Sequence, residues 1–480
     1  MPLMTGRQYL ESIRNLDLCA HMMGRSVMGA SQSPLALPSA RAVALTYDLA
    51  HAPETRDLLT ASSPLTGGAV NRFTHLHRST DDLVKKVLMQ RACGGLTGCC
   101  FQRCVGMDAG NAVFAATYAC DKARGTGYHG RFLDYWTRVQ AEDLTVDGAM
   151  TDPKGDRGKR PKDQPDPDQY LRVVGRKPGG IVVRGAKLHQ TGMLNAHEIL
   201  VMPTMSMRQG EEDWAVSFAV PTNAEGLVHI FGRQSSDTRK LELSFDAGNP
   251  VYGGQEVMTV FDDVFVPDER VFLNGEVEFS GMLVELFASY HRQSYGGCKT
   301  GVGDVLIGAA ALAARMNGVE NASHVKDKLT EMIHLNETMF ACGVACSHLG
   351  RPTAAGNYAV DTLLANVTKQ NVTRFPFEMA RLAIDIAGGL VGTMPSSADL
   401  SDDEAGPLIR KYLAAAPGFA TEERMKVLRL IENITTGAGA VAYLVESMHG
   451  AGPPQAQRIM IARQGGLAEK IERVKKLVGI

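Results

Sequence analysis

Between residues 170 and 261 the apolar residues stop recurring every three or four positions and begin to alternate. Segments 170–174 and 181–184 flank the turn signal Lys177-Pro-Gly-Gly180, and 215–220, 227–231, 241–245 and 257–261 repeat the alternation. A period of two sends successive side chains to opposite faces, so these segments read as strands, the first two as a hairpin. Six or more short strands separated by turn residues predict a small barrel or sandwich. On both sides of this zone the period is helical. Upstream, helices are punctuated by Gly29-Ala-Ser-Gln-Ser-Pro34 and Gly67-Gly68. One helix is expected from Ser79-Thr80 to Ala92, broken by Gly94-Gly95, and a second from a Thr97 cap to about Cys120. After Pro267, apolar faces run through 281–295, 301–316, 321–349, 359–390, 422–448 and 454–478. The expectation is an α+β, mainly helical chain: an N-terminal helical domain over 1–145, a β domain over 146–275 and a C-terminal helical bundle over 276–480.

With 50 basic and 52 acidic residues and no basic block, nucleic acid is not an expected partner. The start, Met1-Pro-Leu-Met-Thr-Gly-Arg7, lacks the basic and apolar regions of a signal peptide, and the apolar stretch 305–314 is too short to span a bilayer. A cytoplasmic protein with no membrane partner is expected. Nine cysteines, odd in number and clustered, argue for reduced thiols rather than a disulfide framework.

Chemistry gathers in His291-Arg-Gln-Ser-Tyr295-Gly-Gly-Cys298-Lys299. In a helix, His291, Tyr295 and Cys298 share one face, because positions i, i+4 and i+7 align. Far upstream, Cys100-Phe-Gln-Arg-Cys104 offers two thiols, one turn apart if the second helix carries them. Three sulfurs and one imidazole make a sensible ligand set for an iron–sulfur cluster. Buried cysteine is commonly a small hydrophobe. Cys342-Gly-Val-Ala-Cys346, with identical spacing in an apolar run, is read that way.

The loop Met150-Thr151-Asp-Pro-Lys154-Gly155-Asp-Arg157 is either an ordinary solvated turn or a ligand cradle. In the second case it offers the Thr151 hydroxyl, Gly155 for close approach and Arg157 for phosphate. His189-Gln190-Thr191, at the end of an expected strand, adds three polar side chains. No Gly-x-Gly-x-x-Gly sits between strand and helix, so a dinucleotide here is not held in the Rossmann manner.

Glu446 interrupts an apolar run before a helix stop, Ser447-Met-His-Gly450-Ala-Gly-Pro-Pro454. It either faces water or, if buried, serves as a proton acceptor. Glu256, entering a strand from Gly253-Gly254, is a weaker candidate. Lys299 is a surface lysine or a partner for the neighbouring thiol or a substrate carbonyl or phosphate. For the phosphates of a large ligand, Arg72, Arg78, Arg233 and Arg239 remain equivalent by spacing.

Taken together, the Cys100–Cys104, Met150–Arg157, His189–Gly192, His291–Lys299 and Glu446–Gly452 stretches resemble the 4-hydroxybutyryl-CoA dehydratase / vinylacetyl-CoA delta-isomerase family over essentially the whole chain. The 150–157 loop is also similar to that of the wider reduced-flavin 4-hydroxyphenylacetate 3-monooxygenase group. The resemblance implies an acyl-CoA-dehydrogenase-like homotetramer that acts on a small acyl-CoA and carries FAD and a [4Fe-4S] cluster. It assigns Cys100, Cys104, His291 and Cys298 to the cluster. Met150, Thr151, Lys154, Gly155, Arg157, His189, Gln190 and Thr191 fall to the flavin. Glu446 becomes the base for the α-proton, His291 or Tyr295 the acid for the leaving hydroxyl, and Lys299 and Glu256 supporting groups. The implied route oxidises the enolate by one electron. That step makes the β-hydrogen acidic enough to leave to the reduced flavin; hydroxide then departs from C4, and the electron's return gives crotonyl-CoA. The resemblance departs in a shorter segment near 401–409, and Cys99 beside Cys100 leaves the ligand register open. Two rivals stand beside this reading. One is a two-component flavin monooxygenase of the same fold without iron, the other a non-catalytic protein whose Cys and His bind zinc structurally.

Overall fold

The computed structural model describes residues 3–233, 242, 245, 246 and 251–480. The N-terminal zone contains α1 (Gly6–Arg14), β1 (Ala20–Met22), β2 (Arg25–Val27), α2 (Leu37–Asp48), α3 (Arg56–Leu59), β3 (Thr60–Ser62), β4 (Ala69–Asn71), α4 (Thr80–Thr97), α5 (Cys104–Arg124) and α6 (Tyr128–Ala141). The middle zone holds β5 (Val146–Ala149), β6 (Arg172–Lys177), β7 (Gly180–Thr191), β8 (Glu198–Val201), β9 (Val216–Pro221), β10 (Leu227–Phe231), β11 (Glu256–Pro267) and β12 (Val271–Asn274). Then come α7 (Val277–Met316), α8 (Ser323–His348), the short pair β13 (Arg351–Pro352) and β14 (Tyr358–Ala359), α9 (Thr362–Val372), α10 (Phe375–Ala387), α11 (Leu390–Thr393), α12 (Ala405–Tyr412), α13 (Thr421–Thr435), α14 (Glu446–His449), α15 (Pro454–Gln464) and α16 (Leu467–Val478).

The middle zone is a sandwich. A six-stranded sheet, ordered β2-β1-β10-β11-β7-β6, faces a four-stranded sheet, ordered β12-β9-β8-β5. Val183, Val257, Phe261 and Val264 of the first meet Ile199, Val201, Phe218 and Val220 of the second in one buried cluster, as alternation requires of two packed inner faces. The expected hairpin forms, with Lys177 opposite Gly180. Two expectations need correction. The first 145 residues are not only helical: β1 runs parallel to β10 and extends the larger sheet. A three-residue strand has too few alternations to be seen in sequence. The strand expected at 241–245 lies outside the described residues apart from Glu242 and Phe245.

Helix α7 is the axis of the helical part. It runs unbroken for 40 residues, where the apolar pattern suggests two pieces, and packs against α4, α5, α8, α9, α10 and α13. It is long and apolar enough, by length and composition, to cross a bilayer. That revises the expectation of no such stretch, although its neighbours enclose it as a core helix.

The double glycine at 94–95 does not end α4, which starts on the expected Ser79 cap and continues to Thr97 before Gly98 closes it in the left-handed region. These glycines allow contact with α7. A Cβ on Gly94 would stand 2.6 Å from the Cys298 carbonyl, and one on Gly301 would stand 2.2 Å from the Arg91 carbonyl. Low helix propensity predicts a break at these glycines, but packing decides here.

Candidate functional site

α7 delivers His291, Tyr295, Cys298 and Lys299 to one place, as the spacing requires. The His291 and Tyr295 rings meet edge to face at 5.2 Å. The two upstream thiols arrive differently from the expectation. Cys100 lies in the loop after α4, Gln102 takes a positive φ of 61°, and Cys104 is the first residue of α5. The thiols are therefore not one helical turn apart on one helix; α5 starts only after the loop has turned. Cys104 and Cys298 share a buried pocket with Cys93 and Phe101. Burial, then the Cys298 and Asp108 charges, push the Cys104 thiol well up, and burial followed by the Glu446 charge does the same to Cys100. Burial brings Cys298 to about 11 against the pull of the Lys299 ammonium. Cys99 turns instead to the Cys100 carbonyl. Cys346 is buried in the core as expected, and Cys342 is half-buried beside Asn371.

Sequence reasoning missed what holds this constellation. His291 Nδ1 lies 2.8 Å from Oδ2 of Asp108, a fully buried carboxylate. Lys86 Nζ sits 2.5 Å from Asp108 Oδ1, and Ser294 Oγ donates to Oδ2 at 2.9 Å. Lys86 also donates to the Tyr290 carbonyl and Gln293. An imidazole that donates Nδ1–H to a carboxylate presents Nε2 with its lone pair outward, the arrangement of a metal-ligating histidine. Gln90 reaches Cys104 Sγ at 3.2 Å. Asp108 stands four residues after Cys104, a spacing visible in sequence but ordinary in any helix.

A carboxyl pair closes the other side. Lys299 Nζ is 2.6 Å from Glu446 Oε2 and donates to the Ala442 carbonyl. Burial alone would lower that ammonium; the Glu446, Cys298 and Cys100 charges outweigh it and raise it. Glu256 hydrogen-bonds Glu446, and burial followed by the Glu446 charge holds its carboxyl well above the usual range, so it is the protonated partner. The β7–β11 register places Thr191 opposite Glu256, and its hydroxyl meets Oε1 and Oε2 at 2.8 and 2.9 Å. Read as the weaker candidate in sequence, Glu256 stands beside Glu446. Nothing in the sequence singles out Lys369. Buried on α9, its ammonium lies 4.2 Å above the Tyr295 ring and donates to the Glu446 and Ser447 carbonyls. Burial and the Glu446 charge keep the Tyr295 phenol well above its ordinary range, hence protonated.

The 150–157 loop is shaped by a buried ion pair, Lys187 Nζ to Asp152 Oδ1 at 2.8 Å. Lys187 also holds the Met150 carbonyl, and the Thr151 carbonyl accepts from Leu188 N. Lys154 takes a positive φ of 70° and makes no ion pair among the described residues. Burial, then the Lys154 and His449 charges, hold His189 below the ordinary imidazole range, so these three groups are close. His449 shares α14 with Glu446, which joins this loop to the carboxyl pair. Gln190 is buried with its amide on the Leu188 carbonyl. Arg157 is exposed. Gly155 is needed for the chain's own close approach: a Cβ there would meet Gln169 Oε1 at 1.9 Å.

Two family models match, the 4-hydroxyphenylacetate 3-hydroxylase N terminal over 5–273 and its C terminal over 280–479. Over 488 residues, covering 100% of both chains, the sequence is 58% identical to 4-hydroxybutyryl-CoA dehydratase/vinylacetyl-CoA-Delta-isomerase of Clostridium aminobutyricum.

The chain belongs to this dehydratase family.

Among solved structures, the dehydratase-family chain is similar to an oxygen-tolerant archaeal 4-hydroxybutyryl-CoA dehydratase from N. maritimus. The TM-score is 0.97 at 52% identity, over 100% of this chain and 95% of that one. It shares its fold with the oxygenase component of 4-hydroxyphenylacetate 3-monooxygenase complexed with FAD, at TM-score 0.87 and 24% identity over 99% and 98% of the two chains. In the dehydratase-family chain the Cys104 and Cys298 thiols and the His291–Asp108 pair adjoin the Lys299–Glu446 pair.

Proposed function

We propose that this chain dehydrates 4-hydroxybutyryl-CoA to crotonyl-CoA and isomerises vinylacetyl-CoA to the same product, as a cytoplasmic homotetramer of acyl-CoA-dehydrogenase-like subunits divided at about 1–145, 146–275 and 276–480. The observation that carries the reading is the Glu256–Glu446–Lys299 set, whose Glu446 charge acts on Cys100 and Cys298. The full-length identity to the Clostridium relative supports it. Assembly is supported by α16, which buries none of its residues and exposes Leu467, Ile471, Val474 and Val478 along one stripe.

Two cofactors fit the residues present. Among the described residues no three His, Cys, Asp or Glu side chains gather closely enough for a single metal ion, as zinc would need. The ligands of a cluster several ångströms across stand further apart, and three thiols with an outward-facing imidazole nitrogen are a suitable set: Cys100, Cys104, Cys298 and His291. Lys154, which makes no ion pair among the described residues, the His189 ring and the Thr151 and Thr191 hydroxyls suit FAD, with Met150, Gly155, Arg157 and Gln190 around them. Bound there, FAD supplies reversible one-electron chemistry and the cluster a Lewis-acidic iron for the departing hydroxyl.

The chain's own residues handle the α-proton and the leaving hydroxyl. Glu446 removes the α-proton of the thioester, with the Lys299 ammonium 2.6 Å from its Oε2. Glu256 stays neutral and holds Glu446 in place through their hydrogen bond. Of His291 and Tyr295, the phenol is the proton donor to the leaving hydroxyl, because it is held protonated while His291 Nδ1 is committed to Asp108. Glu446→Gln protein prepared without oxygen should lose both activities while keeping wild-type iron and flavin content. Surviving isomerisation would move the base elsewhere.

A further inference from the structure

We propose that the groove between α1 and α2 binds the phosphorylated adenosine end of the CoA thioester, an inference that rests on the function proposed above. The groove is a cavity of about 550 Å³. Arg7, Arg14 and Arg41 line it, with Glu11, Asp48 and Tyr252. Asp48 already accepts the Gly6 amide at 2.7 Å. Arg7 and Arg14 are exposed and form no ion pair among the described residues. The lining is therefore net cationic, with guanidinium groups suited to phosphate and an aromatic ring suited to a purine face.

The groove wall is tied to the carboxyl pair by two short stretches of chain. Its wall at Val251 and Tyr252 continues directly into Glu256, four residues on, at most about 14 Å along an extended chain. Arg41 is two residues from Ser39, whose hydroxyl receives the Gln255 amide at 2.7 Å, and Gln255 precedes Glu256. The segment between is fixed: Gly253 N bonds the Pro38 carbonyl, and Gln102 from the cysteine loop bonds the Gly253 carbonyl. A pantetheine arm spans such a separation, so the acyl group can lie at Glu446 with the phosphates in the groove.

The phosphates need a site outside the reaction centre, because Lys299 there is already held by Glu446 and Lys369 by the Glu446 and Ser447 carbonyls. Two other arginines of the N-terminal zone are already engaged. Arg72 is buried on the Asp57, Leu58 and Thr60 carbonyls and Asp82. Arg103 is buried over the Tyr47 and Phe73 rings.

The test compares vinylacetyl-CoA with vinylacetyl-pantetheine in anaerobically prepared wild type and an Arg7→Gln/Arg14→Gln variant, with flavin content measured in both. Wild type should show a KM for the CoA ester lower than for the truncated ester by about tenfold or more, as expected of charge-assisted hydrogen bonds. The variant should bring that ratio towards one by raising the KM of the CoA ester, and adenosine 3′,5′-bisphosphate should inhibit wild type but not the variant. An unchanged KM ratio in the variant overturns the proposal. So does loss of flavin with the ratio intact, which would give the groove to the flavin's own diphosphate. If wild type turns over neither ester, the proposed function fails, and calorimetric binding of adenosine 3′,5′-bisphosphate to both proteins still decides the groove: no heat in wild type rejects it.

Discussion

Lys299 and Glu446, 147 positions apart, meet at 2.6 Å with the Lys299 side chain almost wholly buried. An ion pair so enclosed is costly to form and more costly to break, because removing one member strands the other charge. Replacing Lys299 with Met leaves Glu446 without its counter-charge at the reaction centre. The isomerisation kcat should fall by about 10²-fold or more, with Lys299→Arg recovering part of it. Steady-state kinetics on vinylacetyl-CoA check this, and near-wild-type turnover by Lys299→Met would remove the pair from the mechanism.

Lys369 serves the same centre through the backbone. Its hydrogen bonds to the Glu446 and Ser447 carbonyls pin the turn that carries the base. Burial, and next the Lys299 charge, hold its ammonium well below its ordinary range. Lys369→Met should lower kcat about tenfold with only a small fall in melting temperature, since it removes hydrogen bonds worth about 1 kcal/mol each but also an amine buried without an acidic partner. Melting curves and kinetics on the same preparation separate this from a structural role; a large drop in melting temperature would contradict it.

Asp108 orients His291 and neutralises Lys86. Asp108→Asn keeps the shape but removes the charge, leaving Lys86 buried and unpaired. Destabilisation of about 3–5 kcal/mol is expected, with iron bound roughly 10-fold to 100-fold more weakly, as for other outer partners of a ligating histidine. Urea midpoints and iron per chain measure the two effects. Wild-type iron retention would show that the imidazole needs no carboxylate.

Gly450 leaves room for the Tyr295 hydroxyl, since a Cβ there would stand 1.7 Å from Oη. Gly450→Ala must displace the phenol, and both reactions should slow by about 10²-fold. Unchanged kinetics would place Tyr295 outside the proton path.

A pH effect on stability is expected from His197. His197 is buried between Ser12 and Thr145, and burial followed by the Arg103 charge lowers it from 6.5 to about 4. The folded chain therefore binds its proton less readily than the unfolded chain. The stability contributed is full above about 6.5 and is lost as pH falls towards 4, amounting to roughly 3 kcal/mol. His197→Gln should flatten that part of the urea-midpoint profile between pH 7 and pH 4.5; parallel profiles for the two proteins would exclude His197 as the cause.

How much of this was legible can be read residue by residue. Alternation over the middle segments announced a layered β domain, and the i, i+4, i+7 spacing of His291, Tyr295 and Cys298 announced their common face. Glu446 before a helix stop was visible for the same reason: such signals lie within two turns of one chain segment. The double glycine at 94–95 was misread because propensity is local, while its contact with Cys298 and Gly301 is not.

The sequence alone determined the alternating zone between two helical zones and the kinds of donor each carries. Tertiary structure decided which donors meet: Asp108 with His291, Glu256 with Glu446, and Lys369 with the turn that follows α13. Each meeting joins groups far apart along the chain, and its chemistry follows from burial and neighbouring charge, which exist only once the helices and sheets have packed.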